Sequence, residues 1–183
     1  MRETTDEIIC EIRDVIESSD FKQVADFIEN IMVARRIVVF GAGRVGLMMK
    51  SFNMRLGHLG FQSYYLTESN VPKVEKGDLL LLGSGSGNTL SVQTMATLAA
   101  SKGLKILLIT ANQKSKISAL ATSIIRINAQ TKAYEVDRRR SIQPMTTLFE
   151  QSLLVTLDAL VILLMRQSKQ NNLDLESRHN SLE

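Results

Sequence analysis

RIVVFGAGRVG at residues 36–46 and DLLLLGSGSGNT at residues 78–89 decide the fold. Each opens as a continuous apolar run of strand length and closes in a glycine-rich turn, beyond which apolar residues recur at helical spacing. A strand that is apolar at successive positions is buried on both faces, as in a parallel sheet covered by helices. Three more such runs, FQSYYL (61–66), KILLIT (105–110) and IIRIN (124–128), bring the expected strands to five. Helical stretches fall at 45–59, closed by Gly60, and at 89–100, closed near Gly103. With right-handed crossovers, this pattern predicts an α/β, doubly wound, five-stranded parallel sheet flanked by helices.

Working outward, Ile8, Ile9, Ile12, Val15 and Ile16 share a helical face. Phe21, Val24, Phe27, Ile28, Ile31 and Met32 share another, with Asp20 as its N-cap. After a polar segment at 129–143, a long helix is expected over residues 147–167, then a short terminal segment containing DLESRHNSLE. The expected organisation is one domain over residues 1–183: an N-terminal helical pair (1–34), an α/β core (35–145) and C-terminal helices (146–183). A chain of this length buries roughly 70% of its unfolded surface without staples.

Composition narrows the function classes. Hydrophobic residues at 44% and charged residues at 22% are those of an ordinary globular protein. The single cysteine, Cys10, offers no disulfide framework, and one cysteine with two scattered histidines approaches no zinc spacing. No metal is expected, and a free thiol suits the reducing cytoplasm. The start, MRETTDEIIC, carries acids where a secretory signal is basic, so no targeting segment is expected. The longest apolar run, 153–165, is short for a bilayer and contains Asp158, which predicts a buried helix. Net charge is +3, and the basic run Arg138, Arg139 and Arg140 is read as a solvated loop. Aromatic residues, at 5%, do not alternate with a basic stripe, which argues against nucleic-acid binding.

Open α/β sheets bind ligands beyond the carboxyl ends of their strands, and both glycine-rich loops lie there. GAGRVG (41–46) has G-x-G-x-x-G spacing, which lets a backbone approach phosphate at a helix N-terminus. With Glu68 as a ribose-binding acid, a dinucleotide reading stays open; a plain tight turn explains the glycines and gives Arg44 no task. GSGSGNT (83–89) brings the hydroxyls of Ser84, Ser86 and Thr89 among Gly83, Gly85 and Gly87, where N–H and O–H donors can surround a phosphate. The competing reading makes Asn88 or Thr89 a helix cap. It assigns nothing to Ser84 or Ser86, and a dinucleotide fold needs only the first loop.

GAGRVG with KSFNMRLGHLGF (50–61) and GSGSGNTLS (83–91) resembles the sugar isomerase (SIS) domain superfamily. QPMTTLFEQSLLVTLDAL (143–160) and the terminal RHNSLE (178–183) narrow the resemblance to 6-phospho-3-hexuloisomerases. The resemblance implies a homotetramer without cofactor that interconverts 3-hexulose 6-phosphate and fructose 6-phosphate, its partner a phosphorylated sugar rather than nucleic acid or membrane. It implies substrate contacts at Gly43, Arg44, Ser84, Gly85, Ser86, Gly87 and Thr89, and catalysis by Glu150 and His179; Asn53, a departure from the family, adds a polar group expected to meet a sugar hydroxyl. The family usually has Ser at Val45 and Glu at Asn88, with Gly commoner at Thr146 and Ala at Asn53. These departures leave the exact phosphosugar open.

Shifting a carbonyl between adjacent sugar carbons requires a base that works through an enediol. For Glu150 the residues alone favour another task, since Thr147 and Glu150 fit the T-x-x-E capping box; the family motif favours catalysis. For His179 the ordinary reading is a solvated tail. A helical tail would instead place Leu175, His179 and Leu182 on one apolar face, and the resemblance lets this tail reach an active site of its own or a neighbouring subunit. His58, at a helix end, is read as a surface or dipole partner. A sugar-phosphate-binding module without turnover is the alternative function.

Overall fold

The structure, a computed structural model, describes residues 1–131 and 141–182; the arginines at 138–140 lie outside them. In chain order the elements are α1 (Arg2–Ser18), α2 (Val24–Val33), β1 (Ile37–Gly41), α3 (Gly43–His58), β2 (Ser63–Tyr65) and β3 (Leu79–Gly83). There follow α4 (Leu90–Ser101), β4 (Lys105–Thr110), a 3₁₀ turn (Ser118–Leu120), β5 (Ser123–Arg126), α5 (Thr147–Gln167) and α6 (Asn172–Glu176). The five strands form one sheet in the order β2-β1-β3-β4-β5, parallel throughout.

Alternation along the strands builds a core on each side. Val39, Leu81, Leu107 and Ile125 meet Phe52 and Leu56 of α3 and Leu153, Leu157 and Leu160 of α5 on one face. Val38, Leu80, Leu82 and Leu108 meet Val92 and Ala96 of α4 on the other. Because β1 leads outward to β2 while β3 leads the opposite way to β4, the winding reverses between β1 and β3. Their registers pair Gly41 with Gly83, so the two glycine-rich loops leave the sheet side by side at that switch point.

Gly46 is required by close approach, since a Cβ there would come within 2.7 Å of the Tyr65 hydroxyl and crowd the Gly41 carbonyl. The Tyr65 phenol donates to that carbonyl at 3.0 Å, and burial pushes its pKa up.

The long helix is more apolar than its central run suggests. α5 has 21 residues and is long and apolar enough to cross a membrane by length and composition, yet 56% of its most apolar window is buried within the fold. Asp158 lies on its exposed side.

The approach to α5 is fastened from the far end of the chain. Glu11 of α1 accepts hydrogen bonds from Ser141 Oγ (2.7 Å), Ile142 N (2.9 Å) and Gln143 Nε2 (3.0 Å). Burial acts to raise the Glu11 carboxyl, and these donors, Gln143 foremost, outweigh it, holding its pKa below the ordinary 4.5. A carboxyl depressed in the folded state adds stability that is present above its unfolded pKa and lost as pH falls through the folded one. Wild type should therefore be more stable than Glu11→Gln at neutral pH, with the gap closing below 4.5. Urea unfolding of both proteins from pH 7 downward checks this; a gap that does not change with pH would show that the carboxylate is not the source.

Candidate functional site

The second loop hangs from β3 and is braced from behind by β4. Ser84 N donates to Ile109 O at 3.0 Å, and the Gly85 carbonyl accepts from Ala111 N at 3.0 Å and Thr110 Oγ1 at 3.2 Å. Asn112 Nδ2 holds the Ser86 carbonyl at 3.2 Å, and Gly87 N closes onto Ser84 O and Ser84 Oγ, each at 3.2 Å. Carbonyl oxygens repel phosphate, so engaging that of Ser84 within the turn and those of Gly85 and Ser86 by the end of β4 favours the loop's N–H and O–H groups as the ligand-facing set. Gly87 adopts φ +65°, and a Cβ there would overlap the Ser115 side chain.

Thr89 occupies the N-cap position of α4 without a side-chain capping bond. Its Oγ1 instead lies 3.5 Å from Ser84 Oγ, which disposes of the simple capping reading for that residue. Ala42, the N-cap of α3, makes no side-chain cap either. Two uncapped helix starts thus sit at the carboxyl ends of adjacent strands, with unpaired first-turn N–H groups available to an anion.

The start of α5 closes the third side. A Cβ on Gly85 would stand 3.2 Å from the Phe149 ring and 2.9 Å from Thr131 Cγ2, so the serine loop rests on the first turn of α5. The next residue, Glu150, is 7% exposed. Its Oε2 lies 2.8 Å from Arg44 Nη1, on the first turn of α3, and its Oε1 accepts from Thr146 Oγ1 at 2.9 Å. The expected Thr147–Glu150 capping box does not form: the N-cap is Thr146, without a side-chain cap, which makes Glu150 the fourth helical residue. One carboxylate oxygen is tied across 106 residues of sequence to the first glycine-rich loop, and the other to the N-cap hydroxyl rather than to a backbone N–H of the helix start.

An SIS-domain family model matches residues 30–163, a span that contains both loops and Glu150. The 3-hexulose-6-phosphate isomerase of Bacillus subtilis is 38% identical over 168 residues, covering 92% of this chain and 89% of the relative. The enzyme of the same name from Mycobacterium gastri is 34% identical over 173 residues, 94% of this chain and 86% of the relative. The chain is an SIS-domain protein of the 6-phospho-3-hexuloisomerase family. A solved Methanococcus jannaschii structure, from which a function of 3-hexulose-6-phosphate isomerase was inferred, agrees with a TM-score of 0.84 at 32% identity over 99% of both chains.

Of the residues expected at an SIS-domain site, Gly43, Arg44, Ser84, Gly85, Ser86, Gly87, Thr89 and Glu150 gather around the switch point. Asn53 does not join them within the chain. It lies on α3 about 15 Å beyond the helix start, and its Oδ1 accepts a hydrogen bond from Ser63 of β2. Glu68, weighed as a ribose acid, pairs with Lys50 at 3.2 Å, and the Lys50 ammonium lies 5.7 Å from the Tyr65 ring centre.

His179 lies at the other end of α3. Its ring is 5.1 Å from that of His58, which is buried rather than on the surface, while Arg178 Nη1 donates to the His58 carbonyl at 3.0 Å. Fourteen residues of helix separate His58 from Arg44, about 21 Å, so His179 and Glu150 do not meet within one chain. The expected apolar tail face is also missing, because α6 ends at Glu176 and Leu182 is 92% exposed. Thr110, Asn112 and Phe149 support the site and were not singled out for it in the sequence, whereas Thr146 was noted only as a departure from the family. Only the first two carry a signal, a Thr and an Asn just past the KILLI run, where a ligand-side loop begins.

Proposed function

We propose that the chain interconverts 3-hexulose 6-phosphate and fructose 6-phosphate, with the phosphate held by the loop at residues 83–89 and Glu150 as base. The observation that carries this reading is the buried Glu150 carboxylate beside that loop, anchored by Arg44 from the other. From fructose 6-phosphate, Glu150 takes the proton on C3. The C–H electron pair becomes the C2=C3 double bond, and the C2 carbonyl oxygen takes up a proton to give the enediol. Loss of the C3 hydroxyl proton then forms the C3 carbonyl, and the double-bond pair takes a proton at C2. No cofactor enters, since no net electron leaves the sugar.

His179, distant from Glu150 in its own chain, is read as serving the site of a second copy, as a homotetramer permits. Leu47 and Met54 of α3 and Val155 and Ile162 of α5 are exposed apolar side chains suited to such association.

The deciding experiment is NMR of fructose 6-phosphate in D₂O with catalytic protein. Exchange at C3 is expected. Exchange at C1 would mean an aldose–ketose isomerase, and binding without exchange would mean a sugar-phosphate sensor. Ser86→Ala tests the phosphate site in the same assay. Losing one charge-assisted hydrogen bond, roughly 1.5–3 kcal/mol, should weaken fructose 6-phosphate binding by about tenfold or more with an unchanged Tm. Retained affinity with reduced stability would assign Ser86 to the turn it makes with Asn88 N.

A further inference from the structure

The turn that delivers α5 departs from ordinary helix starts in two ways. Met145 adopts φ +59°, a left-handed conformation that a long side chain without a local hydrogen-bonding group rarely takes. The next residue, Thr146, stands at the N-cap, where a threonine hydroxyl ordinarily accepts from the helix's own first-turn N–H groups. Here it makes no such bond and donates to Glu150 Oε1 at 2.9 Å. Strain at one residue and a forgone cap at the next have one shared result: a hydroxyl on the carboxylate. Strained backbone that persists beside a reactive group points to function.

We propose that Thr146 is a positioning residue, whose hydroxyl, together with Arg44, fixes the orientation of the Glu150 carboxylate for proton transfer. The proposal rests on Glu150 being the base. Arg44 alone leaves the carboxylate free to turn about its last bond and to follow a flexible side chain that is 47% exposed. Adding Thr146 holds the second oxygen and fixes the plane. One acceptor site on each oxygen remains for the substrate, since a carboxylate oxygen has two. Thr146 touches neither substrate nor phosphate loop in this scheme; it acts through Glu150.

The test compares Thr146→Val, Thr146→Ser and Thr146→Asn by C3 proton exchange on fructose 6-phosphate, with Tm measured on each. Valine keeps the branched shape and removes the donor, so kcat should fall roughly 10- to 100-fold, the scale of a misplaced catalytic group, with KM unchanged. Serine should restore most of kcat. Asparagine, a better N-cap, should hold or raise Tm without restoring kcat, which a merely structural threonine would not do. Should valine fail to fold, the Ser and Asn pair carries the comparison. In a Glu150→Gln background, Thr146→Val should have no further effect on kcat. Full kcat in a folded Thr146→Val protein, or an equal loss in the Glu150→Gln background, overturns the proposal while leaving the base assignment in place. Near-normal exchange by Glu150→Gln alone overturns both.

Discussion

Glu150→Gln should yield a folded protein that still binds sugar phosphate and has lost roughly 10²- to 10⁴-fold in C3 proton exchange, the range for removal of a general base. The amide oxygen can still accept from Thr146, and no capping box depends on the carboxylate, so the start of α5 should survive. The lost ion pair involves a half-exposed Arg44, where solvent screens the charge, and its removal costs about 0–1 kcal/mol. With the phosphate on the serine loop, as proposed, affinity should persist. Calorimetry, ligand-induced thermal shift and exchange on one variant separate these roles. A folded, binding-competent Glu150→Gln protein with normal exchange would remove Glu150 as base. The same variant tests His179: mixed with His179→Ala chains, it should regain exchange that neither shows alone, because some sites then combine an intact Glu150 with a neighbour's intact His179. No recovery after subunit exchange would confine His179 to its contact with His58.

Gly87→Ala should be the most damaging change at the phosphate loop. The residue holds φ +65°, and a methyl group there would overlap Ser115, whose hydroxyl is already bonded to Ser118 at 2.7 Å. The left-handed conformation costs an L-residue roughly 1–2 kcal/mol, and forcing a methyl into packed surroundings costs about 1–3 kcal/mol more. The two together predict a loss of about 2–5 kcal/mol in urea unfolding. The thermal shift given by fructose 6-phosphate should disappear, because Gly87 N closes the turn onto Ser84. Adding Ser115→Gly should recover the steric share and leave the conformational one. Wild-type stability and an intact thermal shift in Gly87→Ala would show that this turn does not shape the site.

The strands and loops were legible because each depends on local chemistry: five apolar runs of strand length, each where a strand stands, and glycines where the backbone turns at the sheet's edge. The pairing of Arg44 with Glu150 was not legible, since nothing in the spacing of two residues 106 apart says that α3 and α5 begin side by side. The span of α5, 147–167, was read correctly, but the capping box was set one residue too late: Thr146 and Thr147 offer the same hydroxyl, and the N-cap is Thr146, next to the left-handed turn at Met145. The apolar spacing of the tail would have continued to Leu182 only if the whole terminal segment were helical. Its reciprocal cap between Asn171 and Asp174 starts the helix, which then stops at Glu176. Asn53 became a candidate as a polar residue where the family commonly has Ala, a signal that says nothing of direction along α3, and its partner is Ser63.

That α5 both carries Glu150 and covers one face of the sheet has a consequence during synthesis. All five strands have been translated by Arg126, whereas the helix that shelters Val39, Leu81 and Leu107 begins only at Thr147. A growing chain on the ribosome therefore holds a complete set of parallel strands whose one oily side is covered by α3 but still lacks α5, and partly covered apolar surface is what makes unfinished chains prone to aggregate. A chain that ends before α5 should therefore aggregate rather than persist as a weakened isomerase, which makes the arrival of this last long helix the step that completes the sheltered sheet.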